Sequence, residues 1–211
     1  MRRVDFYFDF VSPFSYLCLH RLKELPGVST GLSIRYRPVL FAGLLNHWGQ
    51  KGPAEIPAKR LWTYRWCTWW SKELGIPFRF PASHPFNPLQ HLRLAIACGS
   101  APDAVKRIFD AVWMSGANAN DPKRFEALCG ELGIDPVCLS SEEVKASLKR
   151  STEEAAARGI FGVPSFAVDS EVFWGADSIE FVKDYLKDPD LFKSEEMRRL
   201  GSLPVGAARK A

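Results

Sequence analysis

Two serines three residues apart, in Ser12-Pro13-Phe14-Ser15, stand between an extended apolar run, Val4-Asp5-Phe6-Tyr7-Phe8, and a stretch of helical character. A hydroxyl at the start of a helix can accept a hydrogen bond from a first-turn N–H, as an N-cap does, with Pro13 at the first helical position. It can also donate its proton to an anion, which the positive end of the helix favours. Neither serine can form a disulfide, so this strand-to-helix corner has no redox chemistry of its own. A thiolate is the anion such a corner could serve. Its sulfur must then come from a second molecule.

A matching half lies far along the chain. Gly162-Val163-Pro164-Ser165-Phe166-Ala167-Val168 reads as a strand begun through a proline, and Glu171-Val172-Phe173-Trp174 reads as its hairpin partner. Gly175-Ala176-Asp177 then leads into helical sequence, which makes Asp177 a helix cap or a carboxylate beside free N–H groups. Gly49-Gln50-Lys51-Gly52-Pro53 is a turn by composition. Lys51 there could neutralise a substrate carboxylate, although a turn lysine is usually just solvated. Trp62, Trp66, Trp69 and Trp70 fall on one helical face, a pattern expected in a core, a subunit interface or the wall of a cleft for a flat ligand. Asn87 reads as a helix cap with a possible ligand role.

Other chemistries are excluded by what is missing. The four histidines form no H-E-x-x-H and no ligand pairing, so no metal site is expected. Ser12 lies in no G-x-S-x-G elbow, and no phosphate-binding glycine fingerprint occurs. A net charge of +4, with dispersed basic residues, gives no nucleic-acid footprint. No run of about twenty apolar residues spans a membrane. The five cysteines form no C-x-x-C and read as small buried hydrophobes in a reducing compartment. With no signal peptide before the first strand, the expected address is the cytoplasm.

The elements that must position these residues follow from periodicity and stop signals. A strand over 4–8, a helix over 13–25 and a parallel strand over 31–38 open the chain. Helices are expected over 54–74, 88–97, 103–114, 122–132 and 142–158. Strand periodicity returns at 163, followed by a last helix over 177–186. The expected organisation is a βαβ part over 1–39, a helical insertion over 40–159 and a ββα part over 160–200. A frayed tail is expected over 201–211.

The segments F-Y-F-D-F-V-S-P-F-S-Y-L, G-Q-K-G-P-A-E-I-P-A-K, G-V-P-S-F and F-W-G-A-D resemble the 2-hydroxychromene-2-carboxylate isomerases and the related kappa-class glutathione transferases. These are DsbA-like members of the thioredoxin superfamily. The resemblance runs from Val4 to Tyr185 and implies an α/β, thioredoxin-like fold with a large all-helical insertion. It places a cis Val163-Pro164 bond beside the Ser12 helix, where Val163 offers main-chain groups to an extended ligand. It implies glutathione as cofactor, with Ser12 stabilising the thiolate. The remaining contacts would come from Gln50, Val163, Pro164, Trp174, Gly175, Ala176 and Asp177. Lys51, Trp62 and Asn87 would face a small aromatic carboxylate substrate, and the expected assembly is a homodimer.

Three residues depart from the family pattern. Gln50 replaces a common Asn, Ser178 replaces a frequent Arg, and Trp62 replaces a frequent Tyr. The implied activity is glutathione-dependent cis–trans isomerisation. A conjugating transferase would share the same site, and a non-catalytic peptide-binding module would use only the Pro164 side.

Overall fold

The structure is a computed structural model that describes residues 2–27 and 31–207. Strand β1 (Arg3–Phe8) is buried along almost its whole length and forms the middle of a four-stranded sheet. On one side it pairs in parallel with β2 (Ser33–Pro38), after the helix α1 (Pro13–Arg21) has crossed between them. On the other side it pairs antiparallel with β3 (Ser165–Val168), which forms a hairpin with β4 (Glu171–Trp174). The order is β2-β1-β3-β4. All four expected strands therefore share one mixed sheet.

Alternation along β1 divides the core. Val4, Phe6 and Phe8 pack with Phe166, Val168 and Phe109 on one face, where α1 lies. Tyr7 and Ala167 face the other way, against Val39, Leu44, Ala155 and Ile160. Asp5 also lies on this second side, opposite Ala167 in the register, and is 2% exposed. A carboxylate buried this far needs counter-charge. Arg35 grips it with two N–H groups at 2.8 and 2.9 Å, Arg158 reaches it at 3.0 Å, and Arg3 lies at 3.3 Å.

Between β2 and β3 the chain is helical: α2 (Phe41–Trp48), α3 (Pro57–Glu73), α4 (Leu89–Ala97), α5 (Pro102–Trp113), α6 (Pro122–Glu131) and α7 (Glu142–Ala157). Most of these starts are written locally. Asp121 caps the Arg124 N–H, Ser141 caps the Val144 N–H, and prolines open α3, α5 and α6. After β4, α8 (Ile179–Lys187) packs under the sheet and α9 (Glu195–Leu200) follows.

Two expectations need correction. The helix expected over 54–74 is split. A 3-10 turn at Pro53–Glu55 ends at Ile56, which is extended because Pro57 follows it and disfavours the helical conformation there. Helix α2 was not foreseen at all. It has no side-chain cap of its own, and the donors at its start go to distant residues: Phe41 N–H to Asp9 and Leu40 N–H to Thr152. Its interior Gly43 lets α2 lie close to α7, since a Cβ there would sit 3.0 Å from Thr152. The tail is ordered into α9 before Gly201. Residues 201–207 are exposed beyond a terminal turn, and the rest of the tail, 208–211, lies outside the described residues.

Candidate active site

Ser12 sits where β1 has ended and α1 begins, and it is almost fully buried. Its Oγ accepts the Ser15 N–H at 3.1 Å, so the capping role is real. A hydroxyl has two lone pairs and one proton, and the cap uses only a lone pair. The proton points to the Val163 carbonyl at 3.5 Å, the outer limit of a hydrogen bond. Ser12 is thus a cap whose proton remains open to a stronger acceptor. Of the first-turn donors, Pro13 has no N–H, Ser15 is capped, and Tyr16 N–H returns to Ser12 O at 3.2 Å. That leaves the Phe14 N–H without an intrachain partner among the described residues.

Val163 and Pro164 lie directly across from this corner, and the bond between them is cis. Among the described residues no protein group takes up the Val163 N–H. The Pro164 carbonyl accepts the Gly175 N–H at 2.9 Å, which ties the Trp174-Gly175-Ala176 segment to the same corner. Gly162 leaves room for Trp174, since a Cβ would lie 2.5 Å from the indole nitrogen and push the ring aside. Trp174 itself is exposed and rests against Phe161 with ring centres 5.1 Å apart.

Asp177 is exposed within a 3-10 turn, Ala176–Ser178, and does not cap α8; its N-cap position belongs to Ser178. The Asp177 carboxylate folds back over Gly175, whose φ of 96° and missing Cβ make room for it. Ser178, where an arginine was the family habit, donates instead to the Gly175 carbonyl at 2.7 Å. The turn is therefore braced internally, and its carboxylate is left free.

Gln50 and Lys51 are exposed just past the C-terminal end of α2. The Trp48 indole donates to Ile160 O at 2.9 Å, which holds that end of α2 against the segment leading to Val163. Neither Gln50 nor Lys51 makes a side-chain contact with Ser12 or Val163 among the described residues. Asn87 Oδ1 accepts the Leu89 N–H at 3.1 Å, an Asx turn leading into α4, whose N-cap is Pro88 and not Asn87. Trp62 is exposed and stacked on Trp66, with ring centres 5.5 Å apart and planes 7° from parallel. The core side of α3 is made by Thr63, Cys67 and Ser71, so the tryptophan face of α3 is not core. Only Trp70 is half-buried, under the Arg21 guanidinium.

The residues that hold the corner from behind were not foreseen. Asp9 is fully buried, and its carboxylate accepts Val11 N–H at 3.0 Å and Phe41 N–H at 2.8 Å. Burial without a cation pushes its pKa up from 3.8 to about 7, against the pull of those backbone donors. His84, between α3 and α4, meets the carbonyl of Val11 at 2.8 Å. An acid inside an otherwise apolar run was a signal for Asp9. Nothing local marked His84.

All five cysteines are unpaired. Burial makes four of them poor nucleophiles: it pushes Cys67 up to about 12 and Cys129 to about 11, with Cys18 and Cys98 also raised. Among the described residues there is no metal-ligand cluster and no helix long and apolar enough to cross a membrane.

Residues 3–187 match the family of the DSBA-like thioredoxin domain. A 2-hydroxychromene-2-carboxylate isomerase of Sphingobium xenophagum is 30% identical over 194 residues, 89% of this chain and 99% of the relative. Human glutathione S-transferase kappa 1 is 24% identical over 206 residues, 88% of this chain and 91% of the relative. A solved 2-hydroxychromene-2-carboxylate isomerase superposes with a TM-score of 0.78 at 27% identity, covering 96% of this chain and 100% of that one.

Proposed function

The chain belongs to the DSBA-like thioredoxin family, on its 2-hydroxychromene-2-carboxylate isomerase branch, and we propose that it isomerises this substrate with glutathione. The product is trans-o-hydroxybenzylidenepyruvate. Glutathione, when bound, supplies the sulfur nucleophile whose reversible addition and loss frees one bond of the opened ring to rotate. The observation that carries this reading is the Ser12 hydroxyl, which caps α1 with a lone pair and keeps its proton for an incoming anion.

The residues present fit such a ligand. The Ser12 proton and the Phe14 N–H converge on the start of α1, where a thiolate is favoured and its pKa is lowered. Val163 offers an unused N–H and a weakly engaged carbonyl, the two groups an extended peptide needs from its neighbour. The Asp177 carboxylate, not used as a cap, suits the α-ammonium at the γ-glutamyl end. Gln50 and Lys51, held near the site by Trp48, would serve the glycine end and the substrate carboxylate. We further propose a cytoplasmic homodimer: unpaired thiols suit a reducing compartment, and the exposed Trp62, Trp66 and Trp69 suit a face covered by a second copy.

An ultraviolet assay of the isomerisation, with and without glutathione, tests the reading. Turnover should require glutathione and leave its concentration unchanged. Ser12→Ala should raise the thiol pKa of bound glutathione by about one to two units and lower kcat at neutral pH by roughly 10- to 100-fold. Its cost in stability should be only about 1 kcal/mol. Consumption of glutathione into a stable adduct would make the chain a conjugating transferase. Full turnover without glutathione would end the proposal.

A further inference from the structure

The peptide linking Val11 to Ser12 is held at both ends. Its N–H, that of Ser12, donates to the Asp9 carbonyl at 3.0 Å, and its carbonyl, that of Val11, meets His84 Nε2 at 2.8 Å. A carbonyl can only accept, so Nε2 must carry a proton. The other ring nitrogen, Nδ1, accepts from the Tyr64 hydroxyl at 2.8 Å, whose single proton is shared with the His84 carbonyl at 2.7 Å. Tyr64 belongs to α3, so a line of hydrogen bonds runs from the helical block to the residue before Ser12.

The imidazole is fixed in direction as well as in contact. It packs edge-on against Tyr64, Phe80 and Phe86 and tilted on Trp113, with ring centres between 5.3 and 6.4 Å. Trp113 in turn donates its indole N–H to Phe10 O at 2.9 Å, one residue earlier in the same loop. Burial lowers the His84 pKa, so the ring is neutral at physiological pH and its Nε2–H is the form that serves Val11.

We propose that His84 and Tyr64 are positioning residues for Ser12: through the Val11 carbonyl they set the direction of the hydroxyl that receives the thiolate. This rests on the glutathione reading above and goes beyond it, since neither side chain is among the residues assigned there to the ligand. A ring that merely joined two segments would affect stability alone. A ring that aims Ser12 must affect the thiolate.

The test uses the full chain, with bound glutathione titrated by ultraviolet absorbance of the thiolate, alongside kcat, KM and thermal midpoint. His84→Phe keeps an aromatic ring and removes the donor. It should raise the thiol pKa by about one unit and lower kcat about tenfold at neutral pH, with KM for the chromene within about twofold. His84→Gln keeps an N–H that can reach Val11 and should recover most of the loss. Tyr64→Phe should show a smaller shift in the same direction. In a Ser12→Ala background, His84→Phe should add nothing, because both act through one hydroxyl.

A His84→Phe protein with a lower thermal midpoint but an unmoved thiolate titration would overturn the inference and leave the glutathione reading standing. If that variant does not fold, an unmoved titration in Tyr64→Phe would overturn it equally. A wild-type protein that binds no glutathione would end both.

Discussion

Asp5 and Asp9 are four residues apart on one segment, both buried, and the chain treats them in opposite ways. Asp5 has three guanidiniums within 3.3 Å. Asp9 has no cation among its hydrogen-bond partners, only the N–H groups of Val11 and Phe41. Three guanidiniums around one carboxylate make this part of β1 a fixed joint. Leaving the second acid without a cation, directly behind the Ser12 corner, keeps its proton exchangeable near neutrality. Perturbed groups of that kind gather where a fold does chemistry rather than where it is merely held together. One strand thus carries an anchor at its start and a responsive group at its end.

The sharpest way to break this contrast is Asp5→Ala. Removing one partner of a buried ion cluster typically costs about 3–5 kcal/mol, here because Arg3, Arg35 and Arg158 would be left crowded together. Urea denaturation should show that loss. A loss below about 1 kcal/mol would mean that the arginines are solvated well enough without Asp5, and the anchor reading would fail.

Asp9→Asn should act in the opposite sense at high pH. With a folded-state pKa near 7 and an unfolded one near 3.8, the folded protein holds a proton that the unfolded chain has released. Asp9 therefore contributes its full stability below about pH 4 and loses it progressively as pH rises through 7. At roughly 1.4 kcal/mol per unit, the difference between wild type and variant could drift by about 4 kcal/mol as an upper figure. Denaturation of both proteins at pH 4, 6 and 8 measures it. The variant should gain on the wild type as pH rises, and parallel curves would show that Asp9 titrates as an ordinary carboxyl.

Much of the corner was legible in the sequence, and the reason the rest was not is physical. The β1–α1 junction, the strand begun through Pro164 and the hairpin after it announce themselves through local alternation, prolines and caps. Helix α2 does not, because its cap is Asp9, thirty-two residues earlier. His84 was silent for the same reason: its meaning lies in Val11 and Tyr64, neither of which is its neighbour in sequence. The tryptophan stripe misled in part, since hydrophobic spacing cannot show that Thr63, Cys67 and Ser71 supply the core side of α3. Asn87, by contrast, can be decided simply. Asn87→Ala should cost about 1 kcal/mol in thermal or urea denaturation, as one lost hydrogen bond does, and leave turnover within about twofold. A large rise in substrate KM would instead return Asn87 to the binding site.

The register that pairs Val4 with Val168 also has a consequence in time. A chain made from its N-terminus exposes one edge of β1 until almost the whole helical block has been synthesised. Closure across so long a loop is slow, and it leaves an unpaired strand open to the wrong neighbours meanwhile. The Ser12–Val163 pair, 151 residues apart, can form only when that closure is made. The Ser12 corner is therefore completed only after the helical block has been made. No nascent chain that ends before Val163 can hold it, and recovery of activity after denaturant jump should lag behind the recovery of helix.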